Sequence, residues 1–379
     1  MGKMESASTT ATPRPGGKRR HLPGRIVLVL QGGGALGAFQ AGVYEAMHDA
    51  GIEPEWLVGT SIGAINGAII AGNEPRQRLT RLREFWDLAG RGGEDFSRLG
   101  VLGLGGTFAN LSAVFHGIPG FFEPNRRAWW GVHVPVGVTD ASFYSTAPLR
   151  ETLNRLVDFR HIGAEGTRLT LGAVNARTGR MRYFDSRDDH LALDHVMASA
   201  ALPPAFPAVI IDGEPYWDGG VYSNTPIEVV MDEAKRHDSV IFATQLWQQD
   251  AEAPSSIQQV LSRMKDVQYS SRDESHIARQ QQIHHLRHVV RELGRRLPES
   301  ERARPEIQEL IGWGCATVMH IVSIRAPRFG GEDFTKDIDF TAEHIRARWD
   351  AGRELTRQKI EAAPWEEDFD PVLGVVLHE

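Results

Sequence analysis

Apolar positions along the first half of the chain fall into short runs separated by helical stripes. Arg25–Leu30 and Glu55–Gly59 have the length and branched character of buried strands, and each stops at a glycine-marked turn. Helical spacing occupies about Gly37–Ala50, then Ile62–Ile70 and Arg76–Leu88. Alternating strands and helices predict a mostly parallel sheet covered by helices, an α/β fold. Further strands are expected at Arg168–Val174, Met181–Phe184, Ala208–Ile211 and Ser239–Gln245, with helices at Leu149–Val157 and Pro226–Arg236.

Beyond Gln249 the pattern changes. Ile283, Leu286, Val290, Leu293 and Leu297 alternate spacings of three and four, a stripe that predicts a helix packed on the body or on a second copy. His284 and His288 lie one turn apart there, and with no acid or cysteine to complete a metal set they read as solvated. Thr317–Ile324 is apolar and β-branched, which makes it a candidate for return to the core sheet. Phe340–Ala362 predicts an amphipathic helix with Ile345, Trp349, Leu355 and Ile360 facing inward. Three parts follow: a basic tail over residues 1–23 expected to be disordered, a body over 24–250, and a mostly helical extension over 251–379.

The chemistry lies at the turns. Gly59-Thr60-Ser61-Ile62-Gly63 joins a strand to a helix in the pattern of a nucleophile elbow, where flanking glycines relieve a strained serine backbone. Gly32-Gly33-Gly34-Ala35-Leu36-Gly37 follows the first strand and opens a helix, so its amides point at negative charge. Gly32, Gly34 and Gly37 also fit a dinucleotide fingerprint, but the second strand ends at the serine turn rather than at the acid a ribose requires. A third element, Asp218-Gly219-Gly220, supplies a carboxylate beside two glycines. Asp212, also followed by glycine, competes with it for the role of base.

These elements, in this order and with Ala198-Ser199-Ala200-Ala201-Leu202-Pro203 before the aspartate, resemble the patatin-like lipid acyl hydrolases. The resemblance implies a three-layer patatin-like fold with a mostly parallel central sheet. It also implies a Ser61–Asp218 catalytic dyad without histidine, the Gly32, Gly33, Gly34 and Gly37 loop as oxyanion hole, Gly59 and Gly63 as the elbow, and Gly219 and Gly220 as the acid motif. The extension after Gln249 is similar to one in a bacterial subgroup of that family, and no role for it follows from the motifs. Leu36 stands where many members carry a cation, which leaves the choice between phospholipid and neutral ester open. Two other readings remain: an α/β-hydrolase esterase with a Ser-Asp-His triad using His237 or His320, and a non-catalytic acyl-ligand-binding protein.

Composition narrows the field. The net charge of −7 argues against a general nucleic-acid binder. A single cysteine, Cys315, forbids an intrachain disulfide and suits a cytoplasmic setting. No apolar run approaches a membrane span or a signal-peptide core, and the start, Met1-Gly2, matches a myristoylation pattern only formally. Residues 92–145 are rich in Gly, Phe and Trp, in keeping with either a lid or acyl groove touching a membrane periphery or a quiet insertion. The expected partner is a lipid or other acyl ester, with no cofactor and no metal.

Overall fold

A computed structural model describes residues 22–97, 117–163, 166–233, 235–270, 273–330 and 332–379. Strand β1 (Arg25–Leu30) shows why the core has two sides. Val27 and Val29 point into one apolar cluster and Leu28 and Leu30 into another, as the two-residue period of a strand requires. β1 pairs in parallel with β2 (Trp56–Gly59) on one edge and β9 (Ser239–Gln245) on the other. Beyond β9 lie β10 (Met319–Arg325) and β11 (Val375–His378), and beyond β2 lies β5 (Arg168–Asn175), all parallel. Connections of this kind require crossovers, which the helices supply.

The far end of the sheet is antiparallel. Thr170 and Leu171 of β5 pair with both β2 and β6 (Met181–Asp185), so those two strands occupy opposite edges. Ala173 and Val174 pair with both β6 and β8 (Glu214–Asp218). It follows that β8 continues the edge that β2 vacates after Gly59. A short strand, β7 (Val209–Ile211), closes that end. Among the described residues these nine strands form one sheet, and a separate two-stranded ribbon pairs β3 (Glu123–Pro124) with β4 (Tyr144–Ser145).

Helices α1 (Ala38–Asp49), α2 (Ile62–Ala71) and α3 (Pro75–Ser97) cover the face that holds Leu28 and Leu30, joined by α4 (Ala147–Leu156) and α5 (Leu193–Ser199). The opposite face is covered by α6 (Glu228–Met231), and by Ile277 at the start of a long helix in the extension. The extension runs through α7 (Ile257–Ser270), α8 (Asp273–Arg296), α9 (Glu299–Arg302) and α10 (Pro305–Gly312) to β10, then to α11 (Ala342–Ala362). It is woven into the body. α11 lies so close to α1 that a Cβ on Gly42 would stand 1.9 Å from the Trp349 carbonyl oxygen.

Several expectations need correction. The helix foreseen over Pro226–Arg236 is confined to Glu228–Met231. The chain leaves it to deliver Glu233 beneath the sheet, where Arg25 (2.6 Å), Arg168 (2.5 Å) and Arg187 (2.7 Å) converge on its carboxylate. On α8, Leu286 and Leu293 do not pack on the body, and His284 and His288 are buried rather than solvated as the sequence reading had them. The histidines are accommodated because backbone carbonyls of Met231 and Thr317 meet their Nε2 atoms at 3.4 and 3.0 Å. Burial drives the His284 pKa down to about 4. β8 escapes a pattern search because its sequence, Glu-Pro-Tyr-Trp-Asp, contains a proline and does not alternate. The basic tail and the glycine-rich part of residues 98–116 lie outside the described residues.

Candidate active site

At the tip of β2 the chain turns sharply, and Ser61 adopts φ 58°, ψ −125° before α2 begins at Ile62. A side chain at Gly59 would meet the Gly63 carbonyl oxygen at 2.5 Å, and one at Gly63 would meet that of Leu30 at 2.2 Å. The turn therefore needs both glycines to exist. Ser199, at the end of α5, holds it from behind. The Ser61 amide donates to the Ser199 carbonyl at 3.1 Å and to its Oγ at 3.2 Å, and that hydroxyl donates to the Gly172 carbonyl at 2.7 Å.

Asp218 ends β8 opposite Ala173 and is wholly buried. Its Oδ1 accepts the Gly220 amide at 2.7 Å, while Oδ2 makes no hydrogen bond of full geometry to any described residue. Loss of solvation pushes its pKa up to about 7, opposed by hydrogen bonding from the Ser61 hydroxyl and the Gly220 amide. The Ser61 hydroxyl is near enough to act on the carboxyl, and contacts of this kind tighten when substrate is bound. Asp212, the competing acid, is largely exposed beside Arg182 and stands apart from the cavity.

The glycine loop lies directly over this pair. A Cβ on Gly32 would be 3.1 Å from that of Ser61 and 2.3 Å from Asn224 Oδ1, so only glycine permits the approach. The four glycines are not equivalent. The Gly32 amide already donates to the Asn224 carbonyl at 3.1 Å, and Gly37 packs on Ile62 away from the cavity. Gly33 and Gly34 line the cavity, and their amides find no protein acceptor among the described residues.

Asn224 and Trp247 went unnoticed in the sequence, yet both grip this loop. The Gly32 carbonyl accepts from Asn224 Nδ2 at 3.0 Å and from Trp247 Nε1 at 2.8 Å. The indole in turn rests against Tyr269 of α7, centroids 4.8 Å apart, with the Lys336 ammonium 5.2 Å from its ring. Asn224 follows the acid motif by only a few residues, which was a weak signal. Trp247 carried none.

Ser61, Asp218, Gly33 and Gly34 open into one cavity of about 220 Å³. Phe121, Phe122, Tyr144 and Phe206 line it together with Tyr269, Asp337, Ile338 and Phe340 from the extension, and the Phe121 and Phe340 rings meet with centroids 5.5 Å apart. Among the described residues no Lys, Arg or His lines it, and the Asp337 carboxylate is held by Lys265 at 2.6 Å. His237 and His320 are absent from its lining, and His320 Nδ1 instead meets His378 Nε2 at 3.0 Å. Among the described residues no cluster of His, Cys, Asp or Glu is arranged for a metal ion.

Fold and site together define a three-layer α/β protein whose apolar cavity lies at the carboxyl ends of β1, β2 and β9. The family model for patatin-like phospholipase matches residues 28–231, more than half of the chain, and the chain belongs to that family. A second model, patatin phospholipase, matches residues 267–372 within the extension. Lysophospholipase nte1 of Aspergillus terreus is 57% identical over 53 residues, 14% of this chain and 4% of that protein. Patatin-like phospholipase domain-containing protein 7 of Mus musculus is 45% identical over 58 residues, 15% of this chain and 4% of that protein. The uncharacterized protein YjjU of Escherichia coli is 41% identical over 76 residues, 18% of this chain and 21% of its own length. The chain thus spans about a fifth or less of each of these relatives. Among solved structures, VipD from Legionella pneumophila aligns with a TM-score of 0.37 at 14% identity, covering 89% of this chain and 67% of that one.

Proposed function

We propose that this protein is a serine lipid acyl hydrolase that cleaves carboxylic esters through an acyl-enzyme on Ser61, with Asp218 as base. One observation carries the reading: the strained Ser61 and the buried Asp218, raised to about 7, face the same apolar cavity. An ordinary aspartate is too weak a base for an alcohol, whereas a desolvated one near neutral pKa is suited to the task. In acylation, Ser61 Oγ attacks the ester carbonyl and its proton passes to Asp218 Oδ2. The Gly33 and Gly34 amides receive the oxyanion, each such donor contributing about 3 kcal/mol at the transition state. The alcohol then departs with the proton from Asp218. In deacylation, water gives a proton to the same carboxylate and attacks the acyl carbon, and collapse releases the fatty acid and returns the proton to Ser61.

The aromatic walls and the lack of a lining cation favour an acyl chain inside the cavity and a head group outside it. The name of the Aspergillus terreus relative makes lysophospholipids worth including among the esters to try. The test is fluorophosphonate labelling of the wild type, Ser61→Ala and Asp218→Asn, followed by a panel of esters with varied head groups and chain lengths. Labelling should vanish in Ser61→Ala and slow sharply in Asp218→Asn. Modification at a different serine would overturn the assignment.

A further inference from the structure

Helix α7 is inside out. Its inward side is polar: Asp266 is buried against Lys336 at 2.6 Å, and Arg263 donates to the carbonyls of Gln248 and Gln249 at 3.0 and 2.6 Å. Its outward side carries Ile257, Val260, Leu261, Met264 and Val267, between 38% and 82% exposed. Those positions fall on one helical stripe, the pattern that ordinarily selects the buried face. Isolated exposed hydrophobes need no explanation, but a whole stripe does.

A second exposed apolar run lies between β3 and β4. Trp129 (85% exposed) and Trp130 (66%) stand out from the surface, followed by Val132, Val134, Val138 and Phe143. The run is anchored. Asn125 Nδ2 donates to the carbonyls of Asp140 and Ser142 at 2.9 Å, and Arg127 pairs with Asp140.

Both elements are continuous with walls of the cavity. α7 brings Tyr269 into the lining, and its Lys265 holds Asp337 there. The β3–β4 connection is flanked by Phe122 and Tyr144, which also line the cavity. Charge selects the occupant. The only acids in residues 126–143 and in α7 are Asp140 and Asp266, each in an ion pair, although the chain as a whole carries −7. Arg126, Arg127, Arg263 and Lys265 leave these two segments basic.

We infer that α7 and the Trp129–Phe143 segment form a docking surface for a phospholipid membrane, which seats the cavity against its substrate. The inference rests on the lipid-ester reading of the cavity. Indole rings prefer the boundary between head groups and acyl chains, and an amphipathic helix lies there with its apolar face down. The two segments carry four basic side chains against two acids, an excess that anionic lipid phosphates attract.

The test uses full-length protein with vesicles of phosphatidylcholine, alone and mixed with phosphatidylglycerol, and two double variants of exposed residues outside the cavity: Ile257→Gln/Met264→Gln and Trp129→Ser/Trp130→Ser. Wild type should sediment with the vesicles, more strongly when they are anionic, and each variant should partition about tenfold more weakly or worse. Hydrolysis of a soluble short-chain ester should match wild type in both variants, while hydrolysis of vesicle-borne ester falls. Equal vesicle binding by all proteins, or none by wild type, would refute the docking surface. So would a wild-type dimer that Ile257→Gln/Met264→Gln turns into monomer, since a second copy would then cover the stripe. Vesicle binding by a wild type that cleaves no ester would instead refute the catalytic reading and leave the docking surface standing.

Discussion

Asp218 stands opposite Ala173 on β5, two residues beyond Leu171, which pairs with Gly59 at the tip of β2. One strand edge is thus shared end to end. β2 leaves it to form the serine turn, and β8 takes its place with the acid in position. The separation of Ser61 and Asp218 by more than 150 positions in the chain is erased by this single register.

Activity toward a soluble ester should rise with pH through an apparent pKa near 7, because only the ionised Asp218 accepts a proton. A pH–rate profile of kcat/KM checks this. Asp218→Asn should lose most turnover and the ascending limb with it. A limb that survives the substitution would assign the titration elsewhere.

The same carboxyl makes a prediction about stability. Its folded pKa lies above the ordinary value of 3.8, so the folded state binds the extra proton between the two values. The stabilisation this gives is full below about pH 4 and is lost as pH rises through about 7. Asp218→Asn keeps an acceptor for the Gly220 amide but cannot ionise. It should melt above wild type at pH 8, with the gap closing toward pH 5, as thermal unfolding would record.

Trp247→Phe retains a ring against Tyr269 and removes the hydrogen bond to the Gly32 carbonyl. Loosening the loop should reduce kcat about tenfold while KM stays near wild type, because mispositioned donors weaken transition-state binding more than substrate binding. Asn224→Ala, which frees the same carbonyl from its other side-chain donor, should act in the same direction. A change confined to KM would remove both residues from the positioning of the loop.

His284 is buried neutral with its pKa near 4, below the unfolded value of about 6.5. The unfolded chain therefore takes up a proton first as pH falls. Stability is lost progressively from pH 6.5 to 4. His284→Gln, which retains a side-chain donor for the Met231 carbonyl, should show a shallower fall in melting temperature over that range.

What the sequence determined by itself is local. Strand β1, the serine turn after β2, the glycine loop and strand β9 are legible because hydrophobic period, glycine spacing and turn chemistry act between near neighbours. The helix within Phe340–Ala362 is legible for the same reason, with Ile345 and Ile360 buried as the pattern has them, although Arg348 and Thr356 are buried beside them. Direction is less so: α7 and α8 bury polar side chains because distant carbonyls and a lysine meet them there, which no periodicity reports. The grip of Asn224 and Trp247 on Gly32, the entry of Tyr269 and Asp337 into the cavity, and the desolvation of Asp218 were decided only by tertiary structure. Each depends on segments far apart in the chain arriving at one point, and burial, which shifts a carboxyl toward neutrality, belongs to the packed assembly rather than to any residue in it.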